Sequence, residues 1–407
     1  MLTSKDITDF INQNTYDIRI TKNGRWIDQK CAADVLAVIA DCIYNYHLSN
    51  PSNTTFVTAD IWYSEYAKNN VVEIFKKPDV DSELAQNEYD KFFQQPMELL
   101  AASKILNKTK NGNRNIYSIA NMGILEFIAL REKNALFFLK EYITKTLKDS
   151  GIYYLFETFF SLQSPANYSK MKKGFSDFTI SNTAINGIVE CNRIFIKVLN
   201  PLAYYNNALG TERGHLSRHN ITYDMLMYNR NNFRDINAEK PKEKTRKEYM
   251  QLQKIVVNDA YYRYQSTKAK HYLKLFNEQY RDSKSEHFDE FDNGMATQIH
   301  HIFPESQYPE ICYYLENLIA LTPTQHMTKA HPNNNTREIC ETYQHLLLLS
   351  KTDRIKENLS NVAVEKIYEF SKLLHVLNVG FDDDNILEIE DMDFDNVVNA
   401  INMHYAA

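Results

Sequence analysis

Glycine and proline are scarce in this sequence, with ten of each among 407 residues. That scarcity disfavours collagen-like, linker-rich and turn-rich all-β architectures. No stretch reaches the ~18 uninterrupted apolar residues that a membrane helix needs. The opening Met1-Leu2-Thr3-Ser4-Lys5-Asp6 has no apolar core after its lysine, so neither a membrane span nor a signal peptide is expected. A CxxC pair is missing too. Cys31, Cys42, Cys191, Cys312 and Cys340 are odd in number and widely spaced, which reads as reduced thiols in a cytoplasm and not as a disulfide framework or a zinc knot. What is present is ordinary for a soluble globular protein: 43% hydrophobic and 24% charged residues. At roughly 150 residues per domain, two or three domains are expected.

The formal charge of −6 argues against a polyanionic partner until it is resolved along the chain. Residues 1–100 carry −6, residues 101–280 carry +13, residues 281–380 carry −5, and residues 381–407, with no lysine or arginine, carry −8. A strongly basic block with interleaved aromatics is the footprint of a nucleic-acid binder, although a lysine-rich solvated surface has the same composition. The acids of the stretch from Phe381 to Asp395 read as a solvated tail.

Hydrophobic spacing predicts helices over 28–48, 58–75 and 82–106, separated by turns at Pro51 and Pro78. Residues 1–30 alternate weakly, as a short strand or arm would. Between Asn107 and Ile119, Asn111-Gly112 separates two β-prone runs, which signals a hairpin. Helices followed by a basic hairpin resemble a winged helix, in which wing cations touch phosphates. Lys108, Lys110 and Arg114 would be those cations. Residues 120–160 read as apolar helix, 161–175 as a polar joint around Pro165, and 190–202 as a further apolar segment. Beyond it, Arg213, Arg218, Asn229, Arg230, Asn231 and Arg234 combine arginine and asparagine, the side chains that make bidentate contacts to guanine and adenine. These six are candidates for base or backbone contacts, and a solvated loop accounts for the composition nearly as well. No internal repeat is visible.

The sharpest pattern is Gln298-Ile299-His300-His301-Ile302-Phe303-Pro304, then Glu316-Asn317-Leu318-Ile319-Ala320-Leu321-Thr322-Pro323-Thr324-Gln325-His326, then Lys329-Ala330-His331-Pro332. Asn317 follows His301 by 16 residues, and His326 follows Asn317 by nine. This resembles the HNH, or ββα-metal, nuclease motif: a strand ending in a histidine doublet, a loop, a second strand opening with asparagine, and a helix bearing histidine. The chemistry asks for such residues. Phosphodiester hydrolysis needs an activated water, a cation on the phosphate oxygens and stabilisation of the leaving alkoxide, and an imidazole is a suitable base at neutral pH.

The resemblance implies that His301 is the general base, that His300 and His326 are metal ligands, and that Asn317 ties the loop to the hairpin and steadies His301. The family often places a third ligand four residues after the helical histidine. Here that position is Ala330, and His331 follows it, either as a ligand or as a phosphate contact. One divalent ion per site is implied, Mg²⁺ first, with Mn²⁺, Ni²⁺ or Zn²⁺ as alternatives.

The expected fold is α+β and mostly helical. It comprises a winged-helix-like region (1–120), a basic helical DNA-recognition region (121–280) and an HNH nuclease module with an acidic C-terminal segment (281–407). The architecture resembles HNH-type Type II restriction endonucleases, which implies site-specific cleavage of double-stranded DNA to 5′-phosphate and 3′-hydroxyl ends. A homodimer is one route to cutting both strands, and neither a membrane nor a nucleotide cofactor is called for. The alternatives are a modification-dependent or antiphage HNH nuclease and, in a different class, a winged-helix DNA-binding regulator with an inactive HNH remnant.

Overall fold

A computed structural model describes residues 1–77, 80–81, 86–228, 259–330 and 340–406. Among them the fold is mostly helical, with three two-stranded antiparallel sheets. The chain packs as two units, Leu2–Val256 and Val257–Ala407 with Met1.

The first unit opens on helices, not on a strand or arm. In α1 (Ser4–Asn12), Thr3 and Asp6 form a reciprocal capping box, and Ile7 and Ile11 are buried. Asp17 caps α2 (Ile18–Thr21). These caps satisfy orphan N–H groups at the helix starts, which a weak alternation does not weigh. The core is α3 (Ala33–Ser49), buried on every side from Ala33 to Ile43, as a helix apolar all round must be. It packs against α4 (Thr58–Trp62), α5 (Glu65–Phe75), α6 (Gln86–Ala102), α7 (Met122–Leu130) and α8 (Glu132–Asp149). Two carboxylates lie inside it, and both have donors, as buried charge requires. Asp34 accepts the Tyr228 N–H at 2.8 and 2.9 Å, and Asp41 accepts the Tyr66 hydroxyl at 2.6 Å.

After α6 come β1 (Leu106–Asn111) and β2 (Arg114–Ile119), paired from Leu106↔Ile119 to Asn111↔Arg114. Gly112 takes φ 59° at the turn, where a side chain would be strained. On the far side of β2, Phe56 and Tyr117 exchange both backbone hydrogen bonds, so a third extended segment flanks the hairpin. Then follow α9 (Tyr153–Ser161), α10 (Pro165–Asn182), α11 (Ile188–Tyr205), β3 (Leu209–Glu212), β4 (His215–Asn220) and α12 (Tyr223–Leu226). Residues 161–175 therefore start a helix and are not a joint. Ser164 caps α10 and Pro165 sits in its first turn, where a missing N–H costs nothing.

In the second unit, α13 (Asp259–Arg281) packs on β5 (Gln298–His301) and β6 (Leu318–Leu321). The two strands are antiparallel, with His300 opposite Ile319 and His301 opposite Leu318. A short turn, α14 (Pro323–Gln325), runs on as one wide helical turn over His326–Ala330. The unit closes with α15 (Glu341–Ser360), α16 (Phe370–Phe381) and α17 (Phe394–Ala406). Phe394, Val397 and Ile401 are buried and α17 packs on α15. The acidic stretch is thus docked through its apolar residues while Asp382, Asp383 and Asp384 stay exposed.

These units follow packing, whereas regions 1–120, 121–280 and 281–407 follow composition. Across position 120, α3 packs on α7 and α8, and across position 280, α13 packs on β5 and β6.

Candidate active site

The strand that pairs with the histidine doublet, β6, is held by a buried carboxylate. Glu286 gives its N–H to the Ala320 carbonyl and accepts the Ala320 N–H on its side chain at 2.8 Å, clasping β6 at its centre. Arg281 at 2.9 Å, Lys351 at 3.4 Å and the Tyr368 hydroxyl complete the cluster. Burial works to raise the Glu286 pKa, but Lys351 and Arg281 outweigh it and hold the carboxyl below its usual range.

His326 is placed by the residue before it. Gln325 is fully buried. Its side-chain oxygen accepts from Ser285 and from the Thr322 N–H, and its amide donates to the His287 carbonyl and to Asp289. Thr322 closes a capping box with Gln325. The helical turn bearing His326 is therefore fixed to the segment from Ser285 to Asp289, ahead of the hairpin, by polar contacts at its first residues. The His300 and His326 rings meet edge to face, with centroids 5.3 Å apart. Both are half-buried. Two imidazoles this close suit one divalent cation that keeps water in its remaining positions. No group of three or more metal-ligating side chains occurs among the described residues. His331 lies outside the described residues, as do Asn229, Arg230, Asn231 and Arg234.

His301 faces away from His300, because neighbouring strand residues point to opposite faces. It is 9% exposed. Its Nε2 lies 2.9 Å from the Cys312 carbonyl and 3.2 Å from the Ser266 hydroxyl. A carbonyl only accepts, so Nε2 carries the proton. Ser266 in turn donates to Glu305 at 3.2 Å. This arrangement leaves Nδ1 as the nitrogen with a lone pair. Burial, with the positive charge of Lys270, pushes the His301 pKa down to about 4, against the opposing pull of the Cys312 carbonyl. The ring is neutral at pH 7, the form a base requires.

Asn317, wholly buried, spans the loop between the strands. Its side-chain oxygen accepts the Phe303 N–H at 2.8 Å, and its amide donates to the carbonyls of Phe303 at 3.0 Å and Ile311 at 3.3 Å. It ties Phe303, two residues past His301, to Ile311, the neighbour of Cys312, whose carbonyl sets the tautomer. Gly380 supports the same loop. A Cβ there would overlap the Phe303 ring, so only glycine lets α16 approach so closely.

Lys108, Lys110 and Arg114 are exposed on the β1–β2 hairpin, and Lys108 is paired with Glu98 at 2.6 Å. Arg213 and Arg218 are exposed on the β3–β4 hairpin. Ser266, Lys270 and Glu305 escape a motif search. The signal was available for two of them, since Ser266 and Lys270 stand four apart on one helix, and a side chain four apart shares a face. The Cys312 carbonyl leaves no trace in sequence. No protein family, curated protein or solved structure matches this chain.

Proposed function

We propose that this chain is a site-specific, metal-dependent endonuclease that hydrolyses phosphodiester bonds in double-stranded DNA, a restriction endonuclease of Type II working in a cytoplasm. The carrying observation is the β5–β6–α14 arrangement. It brings His300 and His326 within 5.3 Å on one side and holds a neutral His301 on the other. A divalent cation held by His300 and His326, Mg²⁺ first, supplies a Lewis acid to the phosphate oxygens when bound.

His301 Nδ1 takes a proton from water as its oxygen attacks phosphorus. The bond from phosphorus to the 3′ oxygen breaks, leaving a 5′-phosphate and, once the alkoxide is protonated, a 3′-hydroxyl. The half-buried Lys270 supplies positive charge beside the base, where the phosphoryl group gathers negative charge. Asn317 and the Cys312 carbonyl hold the ring so that one nitrogen alone serves as base.

The first unit supplies recognition in this reading. Phe56 beside β2, with helices α3–α6 before the β1–β2 hairpin, supports a winged-helix-like module. Its cations and those of β3–β4 would contact phosphates. No helix of the described residues is long and apolar enough to cross a membrane. One such site cuts one strand, so a double-strand break takes a homodimer or two successive nicks.

The test is plasmid DNA incubated with the folded protein and Mg²⁺, Mn²⁺, Ni²⁺ or Zn²⁺, followed by sequencing of the fragment ends. Discrete fragments with 5′-phosphates are expected. Intact plasmid with every ion, methylated or not, overturns the reading. Cleavage confined to methylated plasmid redirects it to a modification-dependent enzyme.

A further inference from the structure

The chain shows no repeat in its letters, yet its first unit builds the same helix–hairpin–helix device twice. In the first copy α6 ends at Ala102, and Lys104, two residues on, turns left-handed at φ 69°. In the second α11 ends at Tyr205, and Asn207, two residues on, turns left-handed at φ 47°. The next residue donates back into the helix in both: Ile105 to Leu100 at 2.9 Å, Ala208 to Ala203 at 2.9 Å. A strand starts one residue later, at Leu106 and at Leu209.

Each hairpin closes alike, with the first residue past its second strand donating to that same junction residue. Ala120 bonds to Ile105 at 2.9 Å and Ile221 to Ala208 at 3.0 Å. A helix follows after one capping position, Asn121 or Thr222. Helix α8 joins the copies, packing on α3 and α7 and also on α11. The copies share backbone hydrogen bonds and burial at the junction, not residue identities, so sequence inspection misses them.

Both hairpins end in exposed cations, and the second adds two features. Its turn, Arg213-Gly214, has positive φ at both residues (51° and 85°), the mirror-image turn that suits hairpin twist. Lys172 of α10 donates to the Gly214 carbonyl at 2.7 Å, bringing a further ammonium to the tip. In addition, β4 bulges between Leu216 and Asn220, where the register slips opposite Leu209 and Thr211 of β3. The Ser217 hydroxyl accepts the Gly210 N–H and donates to the His219 carbonyl, which fixes the bulge and leaves Arg218 exposed beside it. Bulges re-aim side chains in this way.

We infer that the β3–β4 hairpin is a second wing equivalent to β1–β2, and that both wings grip the phosphate backbone of one DNA duplex. The inference rests on the DNA-cleavage reading and deepens it: the two hairpins are equivalent devices that act together on one duplex. Each phosphate contact released lowers the dependence of log K on log salt by about 0.9.

The test uses full-length protein, a 30-base-pair duplex carrying the cleavage site and no divalent ion, with binding measured from 50 to 200 mM salt. R213E/R218E should weaken binding at least tenfold and flatten the salt slope by about one to two. K110E/R114E should do the same, and the four-fold variant should lose the sum of both effects. R213K/R218K should keep the slope near that of wild type, since charge is preserved. Circular dichroism and thermal melting confirm that each variant is folded. A folded R213E/R218E protein with wild-type affinity and slope overturns the second wing without bearing on the proposed cleavage chemistry. A wild-type protein that neither binds nor cuts any duplex overturns the reading beneath it.

Discussion

The β1–β2 and β5–β6 hairpins are alike in hydrogen bonding and opposite in surroundings. In the first, only Leu106 of β1 is buried, and Lys108 and Lys110 stand in water. In the second, all four residues of β6 are buried and His301 is 9% exposed. Water keeps ammonium groups charged, which suits long-range attraction to phosphate. Burial strips the proton from an imidazole, which suits a base. The pairing pattern decides neither role. What decides is how far other elements cover the strand: α13 and the Glu286 cluster cover β5–β6, whereas β1 is exposed beyond Leu106.

The sharpest way to break this contrast is at the covered hairpin. His301→Ala should cut the cleavage rate by about 10²–10⁴, the usual worth of a positioned base, while a gel shift shows duplex binding unchanged. Cleavage at the wild-type rate removes the base from its assigned place.

Asn317→Ala comes next, because it orphans three buried backbone groups. A loss of about 2–4 kcal/mol in urea unfolding is expected, together with slower cleavage. A neutral outcome would mean the loop holds itself.

Acid should separate the hairpins as well. The folded pKa of Glu286 lies below its unfolded value, so the unfolded chain takes up the proton first. Its stabilising contribution is therefore complete above about pH 4.5 and declines as pH falls below that. Urea unfolding between pH 6 and 3 should show the decline in wild type, and Glu286→Gln should flatten it at lower overall stability. An unchanged acid limb in that variant places the pH dependence elsewhere.

The smallest effect belongs to the open hairpin. Lys108→Ala breaks an ion pair with Glu98 that is only partly sheltered, and should cost at most about 1 kcal/mol of stability. A larger loss would show that the first hairpin too depends on burial.

Local signals in the sequence located the helices from α3 to α9, α11 and the Asn111-Gly112 hairpin, whose positive φ at Gly112 is a requirement of the turn itself. They failed at residues 1–30, where the caps of Thr3 and Asp17 outweigh a faint alternation, and at 161–175, where Pro165 starts a helix instead of breaking one. The spacing of His300, His301, Asn317 and His326 was readable because each is tied to a fixed place in a short ββα unit.

By itself, then, the sequence determined that this is a mostly helical protein with a basic centre and with His300, His301, Asn317 and His326 at a defined spacing, since periodicity, charge and spacing are properties of the chain. Only the tertiary structure decided which nitrogen of His301 is left unprotonated, why its charge is suppressed, and that one helix–hairpin–helix device occurs twice. Those depend on a backbone carbonyl at Cys312, on desolvation by α13 and on hydrogen bonds at the ends of α6 and α11. A carbonyl, a degree of burial and a backbone angle look the same in the letters of many different residues.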